Sequence, residues 1–241
     1  MIKFTVALIA AVSAISAHAS VNLVANGGFE SSTYTVNHQF GAAFGGQGVT
    51  SWTGDGGTAL QFYFFGGTQT TVSAINKFHD PKTYFYPSFS TLSPNGGNFV
   101  ALDGDVNARG RITQTISGLT IGKEYAVSFD WAATQLANRK GATTEQILVG
   151  FGSQSAFTSV VPNPSMGFTG WFTEKFIFHA TSTSQVLSFL SIGTPKGLPP
   201  IAALDGVSVT AVPEPAVWLF LVAGFGLVGV ASRRRTVTVA A

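Results

Sequence analysis

The residues able to do chemistry are few and widely spaced. Asp103-Gly104-Asp105-Val106-Asn107 opens like a calcium loop, with side-chain oxygens at alternate positions. The pattern then fails, because the sixth position is Ala108 where a glycine must make the sharp turn, and the twelfth is Gln114 where a bidentate Glu belongs. An ordinary polar turn is the better reading. His38, His79 and His179 have no metal-ligand spacing, and the chain has no Gly-x-Ser-x-Gly elbow, phosphate loop or zinc motif. Hydrolysis of a glycoside needs two carboxylates roughly 5 to 9.5 Å apart. Glu145, Glu174, Asp130 and Asp103 are available, but nothing in the sequence pairs them. The reading is of a chain that is not an enzyme and requires no cofactor.

Binding chemistry is better represented. Sugar rings stack on flat aromatic faces and offer hydroxyls to short polar side chains. Tyr84, Phe85, Tyr86 and Phe89 lie close together in a loop-rich stretch with Asn76, Asp80 and Lys82 nearby. Trp52 and Trp131 are alternatives, although strand alternation assigns Trp131 to a core. The competing reading is that these aromatics fill a β-sandwich or cover its edges.

The elements that must position them are strands. From Ser20 onward the chain runs in short alternating segments separated by Gly, Asn, Pro, Ser and Thr, without a helical period longer than a turn or two. In Glu124 to Trp131, the side chains of Tyr125, Val127, Phe129 and Trp131 share one face. Ile112 to Ile116, Gln146 to Phe151, Phe172 to His179, Val186 to Ile192 and Leu204 to Thr210 read similarly. Six or more such runs in one domain predict an all-β, two-sheet sandwich. Gly118 to Gly122 is read as a hairpin link, and Pro94 to Gly97 as a turn before a strand over Asn98 to Leu102. Thr33 to Ser93 reads as long loops around one or two strands, without a core of its own.

Both ends are set apart by composition. Lys3, the apolar Phe4 to Ile15 and Ala17-His18-Ala19 form a signal peptide over residues 1–19, implying export through the Sec machinery. At the other end, Val212-Pro213-Glu214-Pro215 precedes an uncharged apolar run over 216–231 and then Arg233, Arg234 and Arg235. The run is short for a membrane helix, but Trp218 and the arginines suit its two interfaces, with the basic end inside. Without these segments nine basic residues face ten acidic ones, so there is no footprint for nucleic acid. No cysteine is present to cross-link the domain.

The order of Pro213-Glu214-Pro215, a short glycine-containing helix and Arg233 to Arg235 resembles the PEP-CTERM sorting signal of Gram-negative bacteria. That resemblance implies processing by an exosortase, an inner-membrane protease or transpeptidase. It places the chain in the inner membrane in transit, then at the cell surface, outer membrane or extracellular matrix. The extra Thr236 to Ala241 departs from the family's usual ending. A second resemblance joins Asn22 to Glu30, Phe99 to Gly104, Ile112 to Tyr125 and Ala203 to Val209. Together they are similar to galactose-binding-like β-jelly-rolls, the superfamily of many carbohydrate-binding modules. It implies a structural calcium between the first and last strands, carried here by Glu30 and Asp205, and a carbohydrate ligand. The organisation expected is a signal peptide (1–19), a jelly-roll β-sandwich (20–211), the sorting signal (212–235) and a short cytoplasmic tail (236–241). The function expected is non-catalytic binding of exopolysaccharide. The alternatives are a structural or adhesive protein with a protein partner, and a secreted glycan hydrolase.

Overall fold

Alternation of apolar and polar residues at period two puts one face of each strand into a core, and two such faces make a sandwich. A computed structural model of the chain describes residues 21–40, 48–54, 60–70, 84–137, 139–198, 200–213 and 222–229. The signal peptide, Glu214, Pro215, Arg233 to Arg235 and the tail lie outside these residues, as do Asn76, His79, Asp80 and Lys82.

Among the described residues the strands are β1 (His38–Phe40), β2 (Thr53–Gly54), β3 (Gln61–Phe64), β4 (Phe99–Asp103), β5 (Arg111–Ser117) and β6 (Glu124–Gln135). They continue with β7 (Thr143–Phe151), β8 (Gln154–Phe157), β9 (Val161–Asn163), β10 (Phe172–His179), β11 (Ser184–Thr194) and β12 (Pro200–Ala211). They form two antiparallel sheets. Sheet 1 has the order β1-β3-β4-β12-β6-β10, and sheet 2 the order β2-β5-β11-β7-β8, with β9 also paired to β7. The chain is all-β, a jelly-roll-like sandwich, and Val21–Ala211 forms one compact unit.

The inner faces meet in one apolar layer. Trp131, Phe129 and Val127 of β6 and Leu204 of β12 pack toward Ile147, Val149 and Phe151 of β7 and Phe189 of β11. Phe129 meets Phe189 edge-on at 5.0 Å between ring centroids. Trp131 is a core residue, as its place in the alternation predicted.

A second apolar layer covers the outer face of sheet 1, where the sequence suggested loops without a core. Phe62 and Phe64 of β3, Phe99 and Ala101 of β4, and Ile201 and Ala203 of β12 carry it, roofed by Phe85, Phe89, Phe168 and Trp171 from loops. The rings stack in series: Phe64 on Phe99 at 5.3 Å, Phe99 on Phe89 at 5.3 Å, Phe89 on Phe85 at 5.0 Å. This explains why Phe62-Tyr63-Phe64 shows no polar alternation. Tyr63 faces the inner core while the two phenylalanines face the outer one.

Two connections differ from the sequence reading. Residues 118–123 do not form a hairpin, because β5 belongs to sheet 2 and β6 to sheet 1. The segment crosses the end of the sandwich with Leu119 buried as a plug, and pairs with the antiparallel crossing 180–183 through Leu119 N–H to Thr183 O and Gly122 N–H to Ala180 O. The opening segment Asn22 to Glu30 is not a ladder strand, since Asn26 and Phe29 take φ of 53° and 55°, which breaks an extended path. It lies along β12 instead, through Leu23 N–H to Val209 O and Val207 N–H to Gly27 O, both 2.9 Å.

In the C-terminal segment, residues 222–229 are helical. Eight residues span about 12 Å, and no helix among the described residues is long and apolar enough to cross a membrane.

The outer layer makes a stability prediction. Phe89→Ala removes a fully buried ring from the stack, and should cost about 3 to 5 kcal/mol in urea unfolding. A cost below ~1 kcal/mol would mean that this layer contributes little to folding.

Candidate functional site

The outer layer decides the fate of the aromatic cluster. Phe85 is fully buried in the stack, so it cannot serve as a sugar platform. Trp52 is 2% exposed, donates Nε1–H to Asn26 O at 3.0 Å, and packs on Phe29 at 5.3 Å. It is a core residue in place of the expected exposed stacking face. Tyr84 and Tyr86 are half-buried on either side of Phe85, and the Tyr86 hydroxyl donates to Arg139 O at 2.6 Å. Phe89 is buried with Phe85.

A different place has the form of a site. A groove of about 850 Å³ opens beside β5, between Leu23 and Ala25 of the opening segment, Thr33, residues 48–53, and Thr113, Gln114, Thr115 and Ser117. Alternation along β5 makes it: Ile112, Gln114 and Ile116 point inward, while Thr113, Thr115 and Ser117 point out. Hydroxyls from Thr33, Thr50, Ser51, Thr53, Thr113, Thr115 and Ser117 line it, and no Asp, Glu, Lys, Arg or His among the described residues does.

Two side-chain amides, Gln114 buried and Asn26 half-buried, hold its walls in place. Gln114 accepts from Ala25 N–H at 2.9 Å and donates to Ala25 O and Ser51 O at 2.8 and 3.1 Å. Asn26 donates to Ser31 O and Thr50 O at 2.9 Å each and accepts from Ser31 N–H. Ser51, on the groove wall, takes φ of 68°, a strained value for a residue with a side chain. The outward hydroxyls of β5 were visible in the sequence as an alternation. What could not be seen is that Gln114 would tie two remote segments beside them.

Glu30 and Asp205 do come together. A β-bulge separates Asp205 from Ser208 in β12, and Gly206 at its centre takes φ of 61°. A Cβ placed on Gly28 would stand 3.9 Å from both Asp205 Oδ1 and Glu30 Cγ. Asp205 accepts hydrogen bonds from Ser93 Oγ and, at 2.7 Å, from Gly206 N–H, while Glu30 Oε1 accepts from Asn98 N–H at 2.8 Å. Burial first, and then the nearby Glu30 and Asp130 charges, push the Asp205 carboxyl up to about 7. Negative charge without a basic neighbour suits a hard cation. Among the described residues no three acidic or imidazole groups could hold an ion together, so Glu30 and Asp205 would need backbone carbonyls beside them.

Of the other carboxylates, Asp130 stands opposite Asp205 in the ladder between β6 and β12. Asp103 accepts Asp105 N–H at 2.7 Å and Asp105 accepts Asn107 N–H at 2.9 Å, two successive Asx turns of the kind read from the sequence. Burial raises the Asp103 carboxyl to about 7. Asp130 accepts from Asn95 Nδ2 and Thr173 Oγ1. Glu145 points into the sandwich interior, where Thr143 Oγ1 donates to its Oε1 at 2.5 Å and burial pushes its carboxyl up to about 8. Glu174 is half-buried on β10. None of these lines the groove. His179 stands half-exposed 3.6 Å from Glu124, and the His38 ring stacks on Tyr34 at 4.2 Å.

Comparison with known proteins assigns a family to most of the sandwich. The family described as "Protein of unknown function (DUF642)" matches residues 88–208, half of the chain and most of its sandwich. The chain belongs to the DUF642 family. Residues 211–235 of this DUF642 protein match the PEP-CTERM protein-sorting motif, which marks it as exported across a membrane. No curated protein matches it. Similar solved structures include TmCBM61 in complex with β-1,4-galactotriose, with TM-score 0.42, 13% identity, and 80% of this chain and 100% of that one covered. The CBM22-1 xylan-binding domain of Xyn10C from Paenibacillus barcinonensis has TM-score 0.41 and 11% identity over 81% and 97%. The arabinose-bound arabinofuranosidase MgGH51 has TM-score 0.47 and 15% identity over 79% and 26%. These likenesses are of fold alone and bring no ligand or activity to this chain.

The buried carboxyls set a pH dependence. A carboxyl whose folded-state value is raised keeps a proton that the unfolded chain releases, so its burden on stability is absent below the unfolded value and grows as pH rises. Stability should therefore fall from about pH 4.5 to pH 8 through Glu145, with Asp103 and Asp205 adding to the fall up to about pH 7. Glu145→Gln should flatten the upper part of this slope in urea titrations at pH 6 to 9. An unchanged slope would show that Glu145 is ionised without cost in the folded chain.

Proposed function

We propose that this DUF642 protein is a non-catalytic, exported glycan-binding protein, sorted by an exosortase through its C-terminal motif. It acts at the cell surface, outer membrane or extracellular matrix of a Gram-negative bacterium, with an exopolysaccharide as its ligand. The observation that carries this reading is the hydroxyl-lined groove beside β5, uncharged among the described residues. Serine and threonine hydroxyls both donate and accept, which matches the two-way hydrogen bonding of sugar hydroxyls. The uncharged lining among the described residues suits a neutral polyol better than an anion. Among the described residues the lining also holds no carboxylate, which favours binding over glycoside hydrolysis, a reaction that needs two of them.

Thr115 is exposed on the groove wall, so Thr115→Trp would obstruct the groove without disturbing the core. The variant should lose retention on columns of bacterial exopolysaccharide, xylan or β-1,4-galactan that retain the parent, at unchanged melting temperature. The double variant Tyr84→Ala with Tyr86→Ala tests the half-buried tyrosines on the opposite sheet. Loss of retention in the double variant alone would move the site there. A parent chain retained by no glycan would favour a surface protein that adheres to another protein.

A structural calcium between Glu30 and Asp205 is part of the proposal, with a role in stability only. Millimolar calcium should raise the melting temperature and chelation should lower it. At a hundredfold excess over Kd, binding to the folded state alone contributes about 2.7 kcal/mol. Glu30→Gln should abolish the increase. A melting temperature indifferent to calcium would leave the pair as a hydrogen-bonded turn.

A further inference from the structure

This inference rests on the glycan-binding reading of the groove. We propose that the ligand is an extended neutral glycan chain, which leaves the groove and crosses the outer face of sheet 2 as far as Phe157.

The register of the strands draws the path. Thr53 and Thr113, which line the groove, stand opposite one another across β2 and β5. Thr113 stands opposite Ser188 on β11, Ser188 opposite Gly150 on β7, and Gly150 opposite Ser155 on β8. These positions form one straight row at right angles to the strands, from the groove to the far edge. Four interstrand steps of ~4.8 Å make it about 19 Å long. A single sugar in the groove would use only its first step.

Apolar side chains flank the row on both sides. On one side Leu190 faces Leu148, and Leu148 faces Phe157. On the other, Val186 faces Thr115. Phe157 is 54% and Val186 48% exposed, large values for such side chains. The two apolar clusters of the described residues lie between the sheets and outside sheet 1, so neither covers this face. A pyranose presents C–H faces and hydroxyl edges together, and the alternation of apolar shoulders with a hydroxyl floor answers both. Arg111 stands at the β5 end of the leucine row, opposite Leu190, and is engaged by other groups of the protein. The row itself, from Thr53 to Ser155, carries no charged side chain among the described residues, which suits a neutral ligand.

The test uses the full chain and a size series, from disaccharide to octasaccharide, prepared from whichever of bacterial exopolysaccharide, xylan or β-1,4-galactan it retains. Affinity measured by calorimetry should rise with length and level off once the row is filled. Phe157→Ala should weaken the hexasaccharide about three- to tenfold and leave the disaccharide unchanged. Phe157→Leu, which keeps apolar bulk without a ring face, should show the same selective loss and controls for disturbance of β8. Thr115→Trp should remove both. Affinity independent of length, or a hexasaccharide indifferent to both Phe157 variants, would overturn the chain path while leaving the groove as a site for a short ligand. Retention by no glycan would overturn the groove reading itself.

Discussion

Sheet 1 is apolar on both faces, and the rest of the molecule is arranged around covering them. Its central strand, β12, is buried along Pro200–Asp205 without polar alternation, with β4 on one side and β6 on the other. A strand of this kind is stable only when something apolar lies above and below it. Below is sheet 2. Above is the stack built from Phe64, Phe99, Phe89 and Phe85, roofed by loops that would otherwise have no reason to stay in place. Stacked rings at 5.0 to 5.3 Å bury large areas with few rotatable bonds, which suits a chain with no disulfide to restrain its loops. The opening segment also docks on β12, so the first and last parts of the domain are fixed to the same strand.

The same arrangement leaves sheet 2 with one free face. Its outward positions on β5, β11, β7 and β8 are Thr, Ser, Gly, Gln, Leu, Ile, Val and Phe, with Arg111 at one end of β5 and no second layer among the described residues. Two crossings, 118–123 and 180–183, close one end of the sandwich by pairing with each other. The groove lies where the opening segment and residues 48–53 come against β5. Gln114 and Asn26 spend their amides on the backbone there, so the walls are set before any ligand arrives, and less ordering remains to be done on binding.

Charge is scarce in this chain, and several acids stand in unusual places. Asp103, Glu145 and Asp205 are buried, and in each case desolvation is the first cause of a raised carboxyl value. Backbone and hydroxyl donors offset part of that cost. Asp105 and Asp103 use their oxygens to shape turns, whereas Asp205 stands opposite Asp130 at the start of a bulge, near Glu30.

The sequence alone determined the strands, since alternation at period two reports burial directly. Glu124 to Trp131, Ile112 to Ile116 and Phe172 to His179 all lie in strands. The sorting motif was equally legible, because it is a linear order of residues. The closeness of Glu30 and Asp205 was inferred from a family resemblance, and the sandwich brings the two together. The tertiary structure decided which side of each sheet stays open. Phe85 and Trp52 have the composition of a binding surface but are buried, and residues 118–123 have the composition of a hairpin but join different sheets. The plain threonines of β5, which carry no motif, line the groove instead. An aromatic side chain gains as much from packing in a second core as from meeting a ligand. Only the contacts between segments remote in sequence determine which of the two it does.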